Sequence, residues 1–189
     1  MNKRLKVTAV LLFLLSVLSA ETTAQSYGRG PNSPSSRDSS SYHAWLEKQV
    51  RHELLMLPYY GVYDNLEFRI DGERVTLLGQ VLRPSTRTDA AKRVKKIEGV
   101  TSVVNQIEVL PASPMDDHLR RRLFRAIYSS PFLNHYAIQP VPPIHIIVKN
   151  GNVTLAGVVA SEAEKNVANI KASGVAGTFS VTNQLRVEK

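Results

Sequence analysis

The stretch VTLLGQV at residues 75–81 returns as VTLAGVV at residues 153–159, 78 positions later. Its alternating apolar residues and β-branched Val and Thr read as a strand, and a glycine interrupts both copies at the same point. Working outward, residues 75–109 align with 153–187 without a gap, and 12 of these 35 positions are identical. Gly99, Val103, Asn105, Gln106 and Val109 match Gly177, Val181, Asn183, Gln184 and Val187. Upstream the offset drops to 73, pairing Leu46, Val50, Leu54 and Pro58 with Leu119, Leu123, Ile127 and Pro131. The second copy therefore holds an insertion of about five residues, in QPVPP at 139–143. The chain is an internal duplication.

Each copy predicts the order helix, strand, strand, helix, strand. Leu46, Val50, Leu54 and Leu57 share one helical stripe, as do Leu119, Leu123, Ala126 and Ile127. The sequence SPMD at 113–116 predicts a capping box with proline in the first turn, and Pro58 and Pro131 end the two helices. Leu66, Phe68 and Ile70 alternate with Glu67, Arg69 and Asp71, which predicts a strand with one wet face. Asp71-Gly72 and Asn150-Gly151 predict tight hairpins. The later helices bury Ala90, Val94 and Ile97 in one copy and Ala168, Ala172 and Val175 in the other, the latter behind a capping box, SEAE, at 161–164. Gly79 and Gly157 fall on the inward parity of their strands, as expected where a helix packs over them. The fold class is α+β: two tandem small domains, at 42–110 and 115–189, each α-β-β-α-β with a three-stranded mixed sheet and two helices on one face.

At the N-terminus, Lys3, Arg4 and Lys6 precede an apolar run over 7–20 and the small residues TTA at 22–24. That is the pattern of a secretory signal peptide, expected to occupy residues 1–25. No cysteine follows the run, which excludes a lipoprotein, and the chain has no cysteine for disulfide or thiol chemistry. Residues 26–41, SYGRGPNSPSSRDSSS, are Ser/Gly/Pro-rich and are expected to form a disordered tether. Charge is uneven. Residues 42–110 carry 10 Lys/Arg against 9 Asp/Glu, net +1, while residues 111–189 carry 9 against 5, net +4. In an exported protein this excess points to lipid headgroups or acidic envelope polymer rather than nucleic acid.

The sequence carries little that points to catalysis or metal binding. The five histidines have no metal-ligand spacing, and Asp116, Asp117 and His118 point about 100° apart on a helix, where first-turn acids are ordinary dipole partners. No nucleophile elbow and no phosphate-cradling glycine loop occurs, so neither catalytic residues, nor a cofactor, nor a metal, nor a small-molecule substrate is expected. The informative feature is a difference between copies. On the helix after Ser113, Arg120, Arg121, Phe124, Arg125 and Tyr128 lie off the core stripe and are the expected lipid-binding residues. The first copy has Lys48, Arg51, His52 and Leu55 at the matching places, mixed with Glu47 and Glu53. The competing expectation is that Phe124 and Tyr128 pack against the other domain. Ile147 and Val158 replace Arg69 and Gln80 on the outward parity, which favours a second sheet covered by its sister domain or a partner.

The two motifs, V-T-L-x-G-x-V after a hairpin and V-x-N-Q-[IL]-x-V at the end, resemble those of the BON domain family over nearly all of residues 42–188, twice. The resemblance implies a non-enzymatic periplasmic protein, associated with osmotic and envelope stress and with phospholipid binding. The expected partner is an anionic phospholipid surface, met mainly by the first helix of the second domain. The alternative is a protein-interaction or chaperone-like module for envelope proteins.

Overall fold

A computed structural model describes residues 39–188 of the chain, so the expected signal peptide and residues 26–38 of the expected tether lie outside the described residues. The first domain comprises α1 (Ser39–Leu55), β1 (Asn65–Asp71), β2 (Arg74–Val81), α2 (Pro84–Val94), β3 (Ser102–Asn105) and β4 (Glu108–Val109). The second repeats it with α3 (Pro114–Tyr128), β5 (Ile144–Lys149), β6 (Asn152–Val159), α4 (Glu162–Ser173), β7 (Ser180–Asn183) and β8 (Arg186–Val187). A 3-10 turn, Asn134–Ile138, falls within the longer second connection. Residues 39–41, expected in the tether, instead open α1; serine suits the start of a helix as well as it suits a linker.

In each half the central strand pairs antiparallel with the strand before it and parallel with the strand after the second helix. The third strand is broken in two, and the reason repeats. Asn105 donates its side-chain amide to the Arg87 carbonyl at 2.9 Å and accepts from Ile107 N–H at 3.2 Å. Asn183 does the same with Lys165 and Leu185, at the same two distances. Each asparagine thus staples its sheet to its second helix and turns the next apolar residue inward; Ile107 and Leu185 are both 2% exposed. The recurring V-x-N-Q motif is this staple.

The first core is assembled from α1, β2 and α2: Leu46, Val50, Leu54, Val75, Leu77, Ala90 and Val94 are buried together. The second repeats it with Leu119, Leu123, Ile127, Val153, Leu155, Ala168 and Ala172. Both stripes are the ones the sequence predicts.

The glycines have a different cause from the expected one. The atoms nearest a Cβ at either position belong to the start of the neighbouring strand, not to a helix. Gly79 and Gly157 take positive φ, 106° and 118°, and a Cβ on either would come within about 2 Å of a backbone carbonyl oxygen, that of Asn65 or of Pro143. The entry of the neighbouring strand presses on the central strand here, so both conformation and space demand glycine. Gly157→Val is therefore expected to lower the stability of the second domain by about 3 kcal/mol or more, from overpacking and left-handed strain together. Urea denaturation checks this against Gly174→Ala, where φ is −79° and the nearest atom is 3.5 Å away. Equal, small effects at the two positions would contradict the contact.

Candidate functional site

Helix α3 starts where Ser113 accepts from Asp116 N–H at 3.2 Å, with Pro114 in the first turn. The capping box expected there is only half formed. Asp116, 3% exposed, turns its carboxylate to the β5–β6 hairpin and accepts from Asn150 N–H at 2.8 Å and Gly151 N–H at 2.9 Å. Those residues have φ of 52° and 77°, the left-handed pair a tight hairpin requires. Asp116 is thus occupied in holding the turn. Among the described residues no group of three or more His, Asp or Glu could hold a metal ion.

The five residues expected to meet lipid fall into three environments. Arg121 and Arg125 are exposed on α3, and Arg122 is exposed beside them. Arg120 and Tyr128 are not at the surface. Arg120 is 1% exposed; its guanidinium donates to the Val148 carbonyl and to Asp117, leaving Nε without a partner among the described residues. Tyr128 is 5% exposed and donates to the Ile144 carbonyl at 2.7 Å, and burial pushes its hydroxyl pKa well above the usual value. Phe124 is half-buried, its ring 4.8 Å from that of Tyr128 and 6.4 Å from that of Tyr63.

The physical reason is the α1–β1 connection of the first domain, which lies across α3 and β5. Val62 accepts from Ile146 N–H at 2.8 Å, extending the open edge of β5, and Val62 and Tyr63 pack into the second core. The competing expectation, packing against the sister domain, holds for Phe124, whose ring meets Tyr63, whereas Tyr128 is buried within the second core itself. Ile147 is likewise covered: it is 5% exposed and lines a small groove with Leu110 and Gln80, below a Lys149–Glu108 ion pair of 2.6 Å that joins the domains. Val158 is only half-covered.

Three residues of this interface escaped the sequence reading. Tyr60 approaches His145, with its hydroxyl 3.5 Å from Nε2. Asp64, 4% exposed, accepts from Leu82 N–H at 2.7 Å and Gly61 N–H at 3.1 Å. Tyr63 lies near enough to Arg121 for the guanidinium to oppose the upward push of burial on its phenol. The only sequence signal was three tyrosines, Tyr59, Tyr60 and Tyr63, in a connection that has no periodicity.

Burial also pushes the His145 imidazole below its ordinary value of 6.5, against the nearby backbone of Asp64 and Gly61, and it raises the Asp64 carboxyl. For His145 the sign follows directly. Above about pH 6.5 both folded and unfolded chains hold it neutral; below, the unfolded chain takes a proton the folded chain resists, so stability is lost as pH falls. Asp64 acts with opposite sign at lower pH, since the folded chain retains its proton longer. His145→Leu is expected to flatten the decline in melting temperature between pH 6.5 and the lower folded value; an unchanged slope would assign the decline elsewhere. Arg120→Met should destabilise the second domain by about 1–3 kcal/mol, because the buried Val148 carbonyl loses its donor. Chemical denaturation measures this, and a wild-type midpoint would contradict it.

An open groove of about 890 Å³ lies along α1 and β1 and is also lined by Pro143, His145 and Val158 of the second domain. Among the described residues no helix is long and apolar enough to cross a membrane.

Comparison with known proteins bears on the repeat. Two solved structures of CdsD, a structural protein of the type III secretion system of Chlamydia trachomatis, share 13% identity with this chain. The C-terminal domain structure covers 76% of this chain and 98% of its own, at a TM-score of 0.28; the second covers 76% and 93%, at 0.27. Comparison with curated proteins gave no match. The model of the BON domain matches residues 43–111 and again 116–189, one match on each half of the duplication, and the chain belongs to the BON domain family, with two copies in tandem.

Proposed function

We propose that this chain is an exported, non-enzymatic protein of the periplasm that docks on anionic phospholipid through the exposed face of α3, in keeping with a family known for phospholipid binding and the cell envelope. The observation that carries this reading is the set Arg121, Arg122 and Arg125. All three are exposed on one helix, and none has a carboxylate within ion-pair distance among the described residues. Arg121 donates instead to His118 Nδ1 at 2.9 Å, and Arg125 lies along the helix backbone with Nε 3.4 Å from the Arg121 carbonyl. In the first domain the matching helix spends its charge internally: Arg51 pairs with Glu47 at 2.8 Å and Glu53 with Arg93 at 3.2 Å. Guanidinium groups without a carboxylate partner suit phosphate oxygens, to which they donate paired, charge-assisted hydrogen bonds.

With Tyr128 buried and Phe124 wedged between domains, the contact is electrostatic, without insertion of rings. It should weaken steeply with salt. The alternative, a protein-docking module, draws its own support from the half-exposed apolar strand of the first domain, where Leu66, Phe68 and Ile70 line the open groove.

Flotation of the mature protein with neutral and anionic vesicles, at low and high salt, tests the reading. Each arginine near the surface contributes about 1 kcal/mol, so Arg121→Glu with Arg125→Glu should weaken binding to anionic vesicles by at least roughly thirtyfold, with the fold intact. Lys48→Glu with Arg51→Glu should do far less. Binding that ignores salt, or that survives the α3 double variant, would refute it.

A further inference from the structure

The two domains are repeats, yet the same seam is closed in one and open in the other. On the second domain, β5 residues Ile144, Ile146 and Val148 are each 0% exposed, in a core against which Val62 and Tyr63 of the first domain also pack. Their counterparts in β1, Leu66, Phe68 and Ile70, are only half-buried. At the adjoining helix position Tyr128 is 5% exposed, whereas Leu55 is 53% exposed, with Met56 beside it at 59%.

The backbone repeats too. Phe68 stands opposite Leu77 as Ile146 stands opposite Leu155. The Phe68 amide therefore points off the sheet edge in the direction in which Ile146 N–H meets the Val62 carbonyl. An edge of this kind is a template for another chain.

The element that closes the seam is the connection between the first helix and first strand of the preceding domain. The chain contains a second such connection, residues 129–143 of the second domain. That connection is prepared for a contact: Phe132 is 63% exposed and Ile138 is 87% exposed. Its prolines, Pro140, Pro142 and Pro143, lack N–H groups, but the intrachain contact asks the covering segment only for a carbonyl.

We propose that a second copy of this chain lays its α3–β5 connection over the α1–β1 seam of the first domain, continuing between molecules the contact that joins the two domains within one. Donor and acceptor lie on different domains, so the association is heterologous and runs head to tail.

Sedimentation velocity of the mature protein, from micromolar to hundreds of micromolar, reads this directly. The mass should rise with concentration and pass beyond a dimer. Ile138→Asp disables the donor and Leu55→Asp the acceptor; both side chains are exposed, so circular dichroism should report unchanged folds. Each variant alone should associate at least tenfold more weakly than wild type, as expected when an apolar anchor is lost. Mixed together, the two should form a heterodimer and nothing larger, since one copy keeps the working seam and the other the working connection. A wild-type protein that stays monomeric throughout, or variants that self-associate as wild type does, or a mixture that fails to pair, would overturn the proposal.

Discussion

The hydrogen bond from Ile146 N–H to the Val62 carbonyl ties the edge of one domain's sheet to a loop of the other, and much of the remaining structure depends on it. With that loop in place, Tyr63 reaches the ring of Phe124, Tyr60 reaches His145, and Lys149 reaches Glu108. Without it, β5 would be an apolar edge strand open to solvent, a liability that folded proteins generally cover. The guanidinium of Arg120 belongs to the same region. It is a cation held in the interior, where losing its hydrogen bonds would cost far more than at a surface.

This contact also divides the charges of α3 between two tasks. Arg120 faces inward and satisfies a strand carbonyl, while Arg121, Arg122 and Arg125 remain in water. A run of three consecutive arginines looks uniform as sequence. On a helix, neighbouring residues point in different directions, and a single step along the chain separates a structural cation from one available to a ligand.

The repeat and its core were legible because they rest on local periodicity: the apolar stripes of α1 and α3, the hairpin glycines and the asparagine of V-x-N-Q each leave a regular trace. Ser161 with Glu164 forms the capping box its spacing implies. What could not be read was anything decided by a neighbour distant in sequence. The amphipathic reading of α3 put Tyr128 and Arg120 outside because a wheel has only one buried arc, whereas α3 is covered on two sides. The glycines were noticed, but their cause is a backbone carbonyl from the next strand, which leaves no mark on composition. Asp116 followed the first-turn pattern and then used its carboxylate on a hairpin 34 residues away.

The dependence between the domains runs in one direction. Among the described residues, the first core draws only on residues between Tyr42 and Val109, whereas the second enlists Val62 and Tyr63 from its predecessor. Synthesised from the N-terminus, the first domain has all it needs to fold as it emerges, and it then presents a finished surface on which the second can complete itself. What began as two equivalent copies has become an ordered pair. Cut out alone, the second half would leave behind Val62 and Tyr63, which pack against its core, so the order of the two along the chain is part of how the core is completed.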